Sequence, residues 1–246
     1  MTLDDIRKLQ QRKYREQFSC FIAEGEHLVL ELEKAAARNP ALLQARLYVS
    51  GAYQGWKGPL PVQLLDERQM AKISDTKTPQ GILAVVPLAA LVDRPAARGE
   101  RAFYLHEVQD PGNLGTILRS MAWFGGFRCL LSPGSVDPFS PKVVRASMGA
   151  IFHVPVETTV EPESLGERFG SVAVLDMQGK ALPDPAFRHH ECYVFGNEAR
   201  GLPPGLLPQG AVPWTIPGRG DIDSLNLATT ASICLYEICA GAQFLA

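Results

Sequence analysis

The chain has 246 residues, 46% hydrophobic and 20% charged, an ordinary balance for a globular protein that buries a real core. No stretch approaches the roughly 18 consecutive apolar residues of a membrane helix, and the charged start MTLDDIRKLQQRKYREQ lacks the apolar run of a signal peptide. Five scattered cysteines (Cys20, Cys129, Cys192, Cys234, Cys239) contain no CxxC pair, which argues against a disulfide framework or a zinc site and for the cytoplasm. The net charge of −2 hides an asymmetry: residues 1–98 hold 14 Lys and Arg against 11 Asp and Glu, and residues 99–246 hold 10 against 15. A mildly basic front half suits a polyanionic partner, although a solvated surface accounts for so small a difference as simply.

In chain order, the pattern predicts one helix over 3–16, a strand at FIAEG, and a helix from Glu24 with Leu28, Leu32 and Ala35 on one face. Strands follow at RLYVS and VQLL, then a polar helix over 66–73 and an apolar strand from Gly81. Residues 91–100, LVDRPAARGE, lack periodicity and read as a linker. Beyond them come strands at FYLHEV, CLLS, VAVLDM, CYVFG and VPWTIP, with helices over 113–125, 140–149 and 224–240. Near-continuous apolar strands alternating with helices mean a parallel sheet covered on both faces. Ligands of such sheets bind beyond the carboxyl ends of the strands, so the loops there carry the chemistry.

Three of those loops are unusual. In EVQDPGNLGTILRSMAWFGG, Asp110-Pro111-Gly112 forms a turn and Asn113 is placed to cap a helix on which Gly115 and Arg119 share a face. Small Gly115 leaves space for a ligand, and Arg119 forks onto phosphate oxygens. A capped helix with one surface arginine is the simpler account of these residues by themselves. In YVFGNEARGLP, Gly196 and Gly201 would let a flat ligand lie on the backbone, with Glu198 needing a polar partner; a glycine turn with Glu198 at a helix start fits as well. In TIPGRGDIDSLNLATTASICLYEI, Asp223 or Ser224 is the expected helix cap. Asn226 would then stand one turn inside the helix, where asparagine is a poor choice. A helix start of this kind suits an anionic or carboxylate-bearing ligand.

In this order the segments resemble the three motifs of the SpoU (TrmH-like) branch of the SPOUT RNA methyltransferases. Those motifs are Asn-x-Gly-x-x-x-Arg, Gly-x-Glu-x-x-Gly and Ser-Leu-Asn. They stand here as Asn113 to Arg119, Gly196 to Gly201, and Ser224-Leu225-Asn226. SPGSVDPFSPKVVRASMGAIFHVPV between them, and QRKYREQFSCFIAEGEHLV and DTKTPQGILAVV before them, are similar to further parts of the family. Met121 stands where relatives often carry alanine, and Leu227-Ala228 where they often carry Val-Ser, so one hydroxyl of the family network is missing.

The resemblance implies an α/β chain in two parts: a small ribosomal-protein-like substrate-binding domain over 1–90, and, after the linker, a SPOUT domain over 101–246 with a trefoil knot. It implies S-adenosylmethionine, no metal, a homodimer, and methylation of a ribose 2′-hydroxyl in structured RNA, ribosomal rather than transfer RNA. The alternatives are a transfer-RNA ribose methyltransferase and a non-catalytic RNA-binding assembly factor on the same fold. A nucleotide-cofactor enzyme is disfavoured because neither GxGxxG after the first back-half strand nor a P-loop lysine motif is present. The catalytic set implied is Arg119, Asn113, Glu198, Ser224 and Asn226. The cosubstrate pocket maps to Leu175, Gly196, Asn197, Gly201, Ile216, Leu225 and Asn226, with Asp176 beside Leu175 a further candidate. Arg7, Lys8, Arg12, Lys13 and Arg15 form a basic helix for RNA phosphates, or equally a solvated helix face.

Overall fold

A computed structural model describes residues 1–92, 94–203, 205–222 and 224–240. The chain forms two compact units. One comprises Met1–Arg94 with Asp137–His153, the other Pro95–Val136 with Val154–Ala246. Residues 137–153, inside the stretch that the sequence assigns to the second domain, therefore fold with the first.

The first unit contains α1 (Leu3–Lys8), α2 (Arg12–Phe18), β1 (Cys20–Glu24), α3 (Glu26–Ala36), β2 (Arg46–Val49), β3 (Val62–Leu64), α4 (Glu67–Ile73) and β4 (Ile82–Pro87). Its sheet runs β1-β4-β2-β3, with β4 antiparallel to both neighbours and β2 parallel to β3. Two helices replace the single one expected over 3–16. The break has a physical cause: Arg15 donates to the carbonyl of Leu9 at 2.7 Å, and Gln10 spends its side-chain amide on the carbonyl of Ser74. Those contacts hold the connection between α1 and α2 out of a continuous helix. In α3 the spacing expected from the sequence holds, and Leu28, Val29, Leu32 and Ala35 are buried together.

The second unit contains β5 (Arg101–Leu105), α5 (Pro111–Phe124) and β6 (Phe127–Leu131), and the chain then gives α6 (Pro141–Ala146) to the first unit. The second unit resumes with β7 (Val156–Glu157), α7 (Leu165–Arg168), β8 (Val172–Ala181), β9 (Cys192–Phe195), β10 (Val212–Thr215) and α8 (Leu227–Cys239). The six strands run β10-β8-β9-β5-β6-β7, and every pairing is parallel. β9 is buried throughout, as its unbroken apolar sequence requires in a sheet covered on both faces, and β6 is buried throughout although it carries Arg128, which pairs with Glu100 and Glu157. Strand order advances from β5 to β6 and β7, then returns to place β9 on the other side of β5. That reversal is a topological switch point, and it sets the loops after β5 and β9 side by side.

β8 departs from the simple strand read at VAVLDM. It pairs with β10 at Ala173–Val174 and again at Lys180–Ala181, so residues 175–179 form an excursion. Asp176 braces it by accepting from the amide of Gln178 at 2.8 Å. Gly179 must lack a side chain, since a Cβ would lie 2.6 Å from the Pro213–Trp214 peptide.

Trp214 is buried, and its indole N–H donates to Nε2 of His190 at 3.1 Å. Burial, with help from Lys180 and His189, holds the His190 pKa below its ordinary value near 6.5. The unfolded chain therefore takes up a proton near pH 6.5 that the folded chain refuses. Stability is full above that pH and is lost as pH falls toward the depressed folded value. Melting temperature should fall between about pH 7 and about pH 5, and fall less in a His190→Gln variant, which keeps an acceptor for the indole. Equal slopes in the two proteins would dismiss this role.

Candidate active site

The loop after β5 is built around one strained residue. Glu107 adopts φ +47, a left-handed conformation uncommon for a residue with a Cβ. It is held there from three sides: its amide donates to Ser132 Oγ at 2.7 Å, and its carbonyl accepts from Gln109 Nε2 at 3.0 Å and from Asn197 Nδ2 at 2.8 Å. Asp110, not Asn113, caps α5, accepting from the Asn113 amide at 2.7 Å with Pro111 at the first helical position. Asn113 is the third residue of the helix, which frees its side chain to look outward.

The loop after β9 closes on itself. Asn197 and Gly201 exchange backbone hydrogen bonds of 2.9 Å. A Cβ on Gly196 would sit 2.6 Å from the Gly201 carbonyl carbon, and Gly201 itself has φ +65. Both glycines are thus required by the hairpin itself. Asn197 is 7% exposed and spends its whole side chain inside the protein. Its Nδ2 reaches Glu107, while its Oδ1 accepts from the amides of Ala199 and Arg200, both at 3.0 Å. It shapes the hairpin and thereby aims Glu198.

The loop after β10 ends in α8, and here too the cap differs from expectation. Asn226 is the cap, its Oδ1 accepting from the amides of Ala228 and Thr229 at 2.9 and 3.2 Å. Ser224 is exposed and makes no hydrogen bond among the described residues; Asp223, the other expected cap, lies outside them. The asparagine expected one turn inside the helix is its N-cap, a position that favours asparagine.

These three loops meet. Because the Asn226 oxygen faces the α8 amides, its Nδ2 points outward and donates to Asn113 Oδ1 at 2.9 Å. Asn113 Nδ2 then donates to Glu198 Oε1 at 3.2 Å, and Glu198 Oε2 accepts from the Gln109 amide at 3.4 Å. A carboxylate only accepts, so the chain of amides has one direction and ends on Glu198. Arg119, on α5, is exposed and makes no hydrogen bond or ion pair among the described residues. Gly115 is buried against the core side of α5, so its face is occupied by protein.

The remaining candidates lie on β8 and on the loop after β10. Leu175, inside β8 at the start of its excursion, and Ile216, directly after β10, are half-buried, and Leu225 is 43% exposed. Asp176, the further candidate, is exposed and engaged by its own turn. From 216 to 225 no backbone–backbone hydrogen bond forms among the described residues, and a Cβ at Gly218 or Gly220 would meet open space. Free amides and carbonyls beside apolar side chains fit a purine and its ribose, which need backbone partners and a nonpolar face.

Burial pushes all five thiols up, Cys192 to about 12, so none is poised as a thiolate nucleophile. Among the described residues no three His, Cys, Asp or Glu side chains gather as for a metal ion.

In the first unit the basic residues separate. Arg7 and Lys13 are exposed. Lys8 pairs with Asp5 and Arg12 with Glu16, surface pairs that a phosphate displaces easily. Arg15 is 4% exposed, its guanidinium engaged by Asp137 and the Leu9 carbonyl, so it serves the core and not RNA. Sequence reading missed Glu107, Gln109 and Arg200. The signal for Arg200 was present, a charged residue inside a glycine-bounded loop; nothing local marks Glu107 as left-handed.

Two family models match the chain. Residues 100–236 match the model described as the SpoU rRNA Methylase family, and residues 2–84 match the MRM3-like substrate binding domain. The 23S rRNA (guanosine(2553)-2′-O)-methyltransferase RlmP of Bacillus subtilis is 29% identical over 242 residues, covering 95% of this chain and 94% of that one. A TrmH-family structure from Porphyromonas gingivalis superposes with a TM-score of 0.81 at 33% identity, over 96% of both chains. An AdoMet-bound rRNA methyltransferase from Sinorhizobium meliloti gives 0.76 at 28% identity, over 98% of this chain and 94% of that one. With the motif residues joined in one hydrogen-bonded network and the family model spanning the sheet that carries them, the chain belongs to the SpoU rRNA methylase family.

Proposed function

We propose that the chain methylates a ribose 2′-hydroxyl of ribosomal RNA, using S-adenosylmethionine bound among the loops after β8, β9 and β10. The observation that carries this reading is the Asn226–Asn113–Glu198 network, with unpartnered Arg119 on the same helix as Asn113. The Bacillus relative's name specifies 2′-O-methylation of 23S rRNA, and the Sinorhizobium structure holds AdoMet, which supports the substrate and the donor.

S-adenosylmethionine, when bound, supplies a methyl carbon activated by a positive sulfonium. The residues of the chain then have to orient the ribose oxygen, take up its developing charge and exclude water. Arg119 presents only N–H donors and does not accept the ribose proton. Its planar fork instead grips the neighbouring phosphate and stabilises negative charge on O2′, while that phosphate receives the proton. Glu198 and Asn113 fix the start of α5 and hence the root of Arg119. Ser224 and Asn226 stand at the start of α8, where hydroxyl and amide groups hold ribose and methionine polar atoms. Leu175, Ile216 and Leu225 supply the apolar walls, and Gly196, Asn197 and Gly201 the rigid hairpin behind them. Arg7, Lys8, Arg12 and Lys13 in the first unit contribute phosphate contacts that position the RNA without reading its sequence.

This reading includes the knotted carboxyl-terminal segment of the family fold, a cytoplasmic location beside the RNA, and a homodimer. Trp123 on α5 is 85% exposed, and Tyr236 and Ile233 on α8 are 64% and 37% exposed. The two helices pack together through Ser120 and Ser232, whose hydroxyls meet at 2.9 Å. An apolar patch of this kind on two adjacent helices suits a second copy. Trp123→Glu should turn a dimer into a monomer in sedimentation; an unchanged wild-type monomer would contradict the dimer.

The function itself is tested by mapping ribose 2′-O-methyl groups in total RNA from cells with and without the protein. Loss of a methyl group in ribosomal RNA is expected. An unchanged map would refute methyl transfer, and a loss confined to transfer RNA would refute the ribosomal target.

A further inference from the structure

Glu107 is an odd residue for its place. It sits in a left-handed conformation that costs a residue with a Cβ, at the mouth of a site meant for a polyanion, and it carries a negative charge. Its carboxylate contacts the guanidinium of Arg200 at 2.5 Å. The pair lies open to water, with the side chains 72% and 34% exposed, so it contributes little to stability. Arg200 is nevertheless well placed, because its amide is held by Asn197 Oδ1 and it follows Glu198 by two residues. A weak pair mounted on two fixed backbones is suited to exchange of partners rather than to holding the fold.

We infer that Arg200 is an RNA phosphate contact and that Glu107 is its resting counter-ion, displaced when a phosphate of the bound RNA takes the guanidinium. The inference rests on the RNA-methylation reading above and adds a residue to it. The planar fork of arginine fits two phosphate oxygens as well as two carboxylate oxygens, so the exchange conserves geometry. Glu107 stays close after the exchange and repels any polyanion that fails to present a phosphate at this point. It therefore favours correctly docked RNA over arbitrary RNA.

The test uses the full chain and an unmodified transcript of large-subunit ribosomal RNA, with affinity measured across a salt series for the wild type, Glu107→Gln, Arg200→Gln and the double variant. Glu107→Gln keeps the shape and the backbone strain but removes the competing charge; it should bind the transcript roughly 3- to 10-fold more tightly. Arg200→Gln should bind about tenfold more weakly, with the slope of log affinity against log salt shallower by about one. The double variant should bind more weakly than Glu107→Gln but more tightly than Arg200→Gln, in which the unpaired Glu107 carboxylate still repels the RNA, and it should keep the shallower salt slope. S-adenosylmethionine affinity and melting temperature, the readouts of a merely structural latch, should barely move. If Arg200→Gln keeps the salt slope and affinity of a wild type that methylates the transcript, the inference falls alone. If Glu107→Gln binds no more tightly, the counter-ion role falls. A wild type that neither binds nor methylates this RNA overturns the functional reading and this inference with it.

Discussion

Replacing Arg119 by lysine should lower the rate of methyl transfer about 100- to 1,000-fold, the usual cost of losing one group that stabilises a developing oxyanion. The change keeps the positive charge and removes only the planar fork, so electrostatic attraction of RNA survives while two-point alignment does not. Arg119 is exposed and unbonded among the described residues, and such surface positions alter stability by less than about 0.5 kcal/mol. Melting temperature and S-adenosylmethionine affinity should therefore match the wild type. Single-turnover kinetics with saturating donor isolates the step. A rate within about threefold of wild type would remove Arg119 from the transfer step.

Asn197→Ala should be the most damaging single change in the hairpin. It deletes three hydrogen bonds of 2.8 to 3.0 Å at a buried position, and two backbone amides lose their acceptor. At about 1 kcal/mol each, the loss is about 3 kcal/mol. A drop of roughly 5–10 °C in melting temperature should follow. Glu198 would lose the turn that aims it, so S-adenosylmethionine binding should weaken by more than about tenfold, as expected when a preorganised loop is released. Asn197→Asp is the informative companion. It keeps the acceptor for Ala199 and Arg200 but turns a carboxylate oxygen toward the Glu107 carbonyl, so it should not restore binding. Wild-type melting and donor affinity in Asn197→Ala would contradict the hairpin's role.

The parts of this fold written in local pattern were legible in the sequence. β9 is an unbroken apolar run, α3 repeats its apolar residues at helical spacing, and the three motif loops follow strands. What the sequence left open is the choice of partner between distant residues. Arg15 looked like part of a basic helix because its partner Asp137 lies 122 positions away. The cap of α5 was misplaced by three residues even though Asp-Pro at a helix start is itself a cap signal; reading it as a free turn cost the assignment. Asn226 was placed inside α8 because a serine two residues earlier offered an equally good local cap. Gly196 and Gly201 are legible as glycines that matter, but a Cβ on Gly196 would lie 2.6 Å from Gly201, and Gly201 is required by its positive φ. The excursion over 175–179 depends on how β10 pairs with β8, and no periodicity within either strand contains that information.

The central claim is that these loops converge on a ribose oxygen, and the chemical identity of the product tests it directly. Ribosomal RNA transcript methylated with radiolabelled donor is hydrolysed in alkali, which cleaves a strand only where a 2′-hydroxyl is free. The account predicts the label in an alkali-resistant dinucleotide, absent when Arg119→Lys is assayed for the same short time. Label recovered on a base, in ordinary mononucleotides, would contradict it.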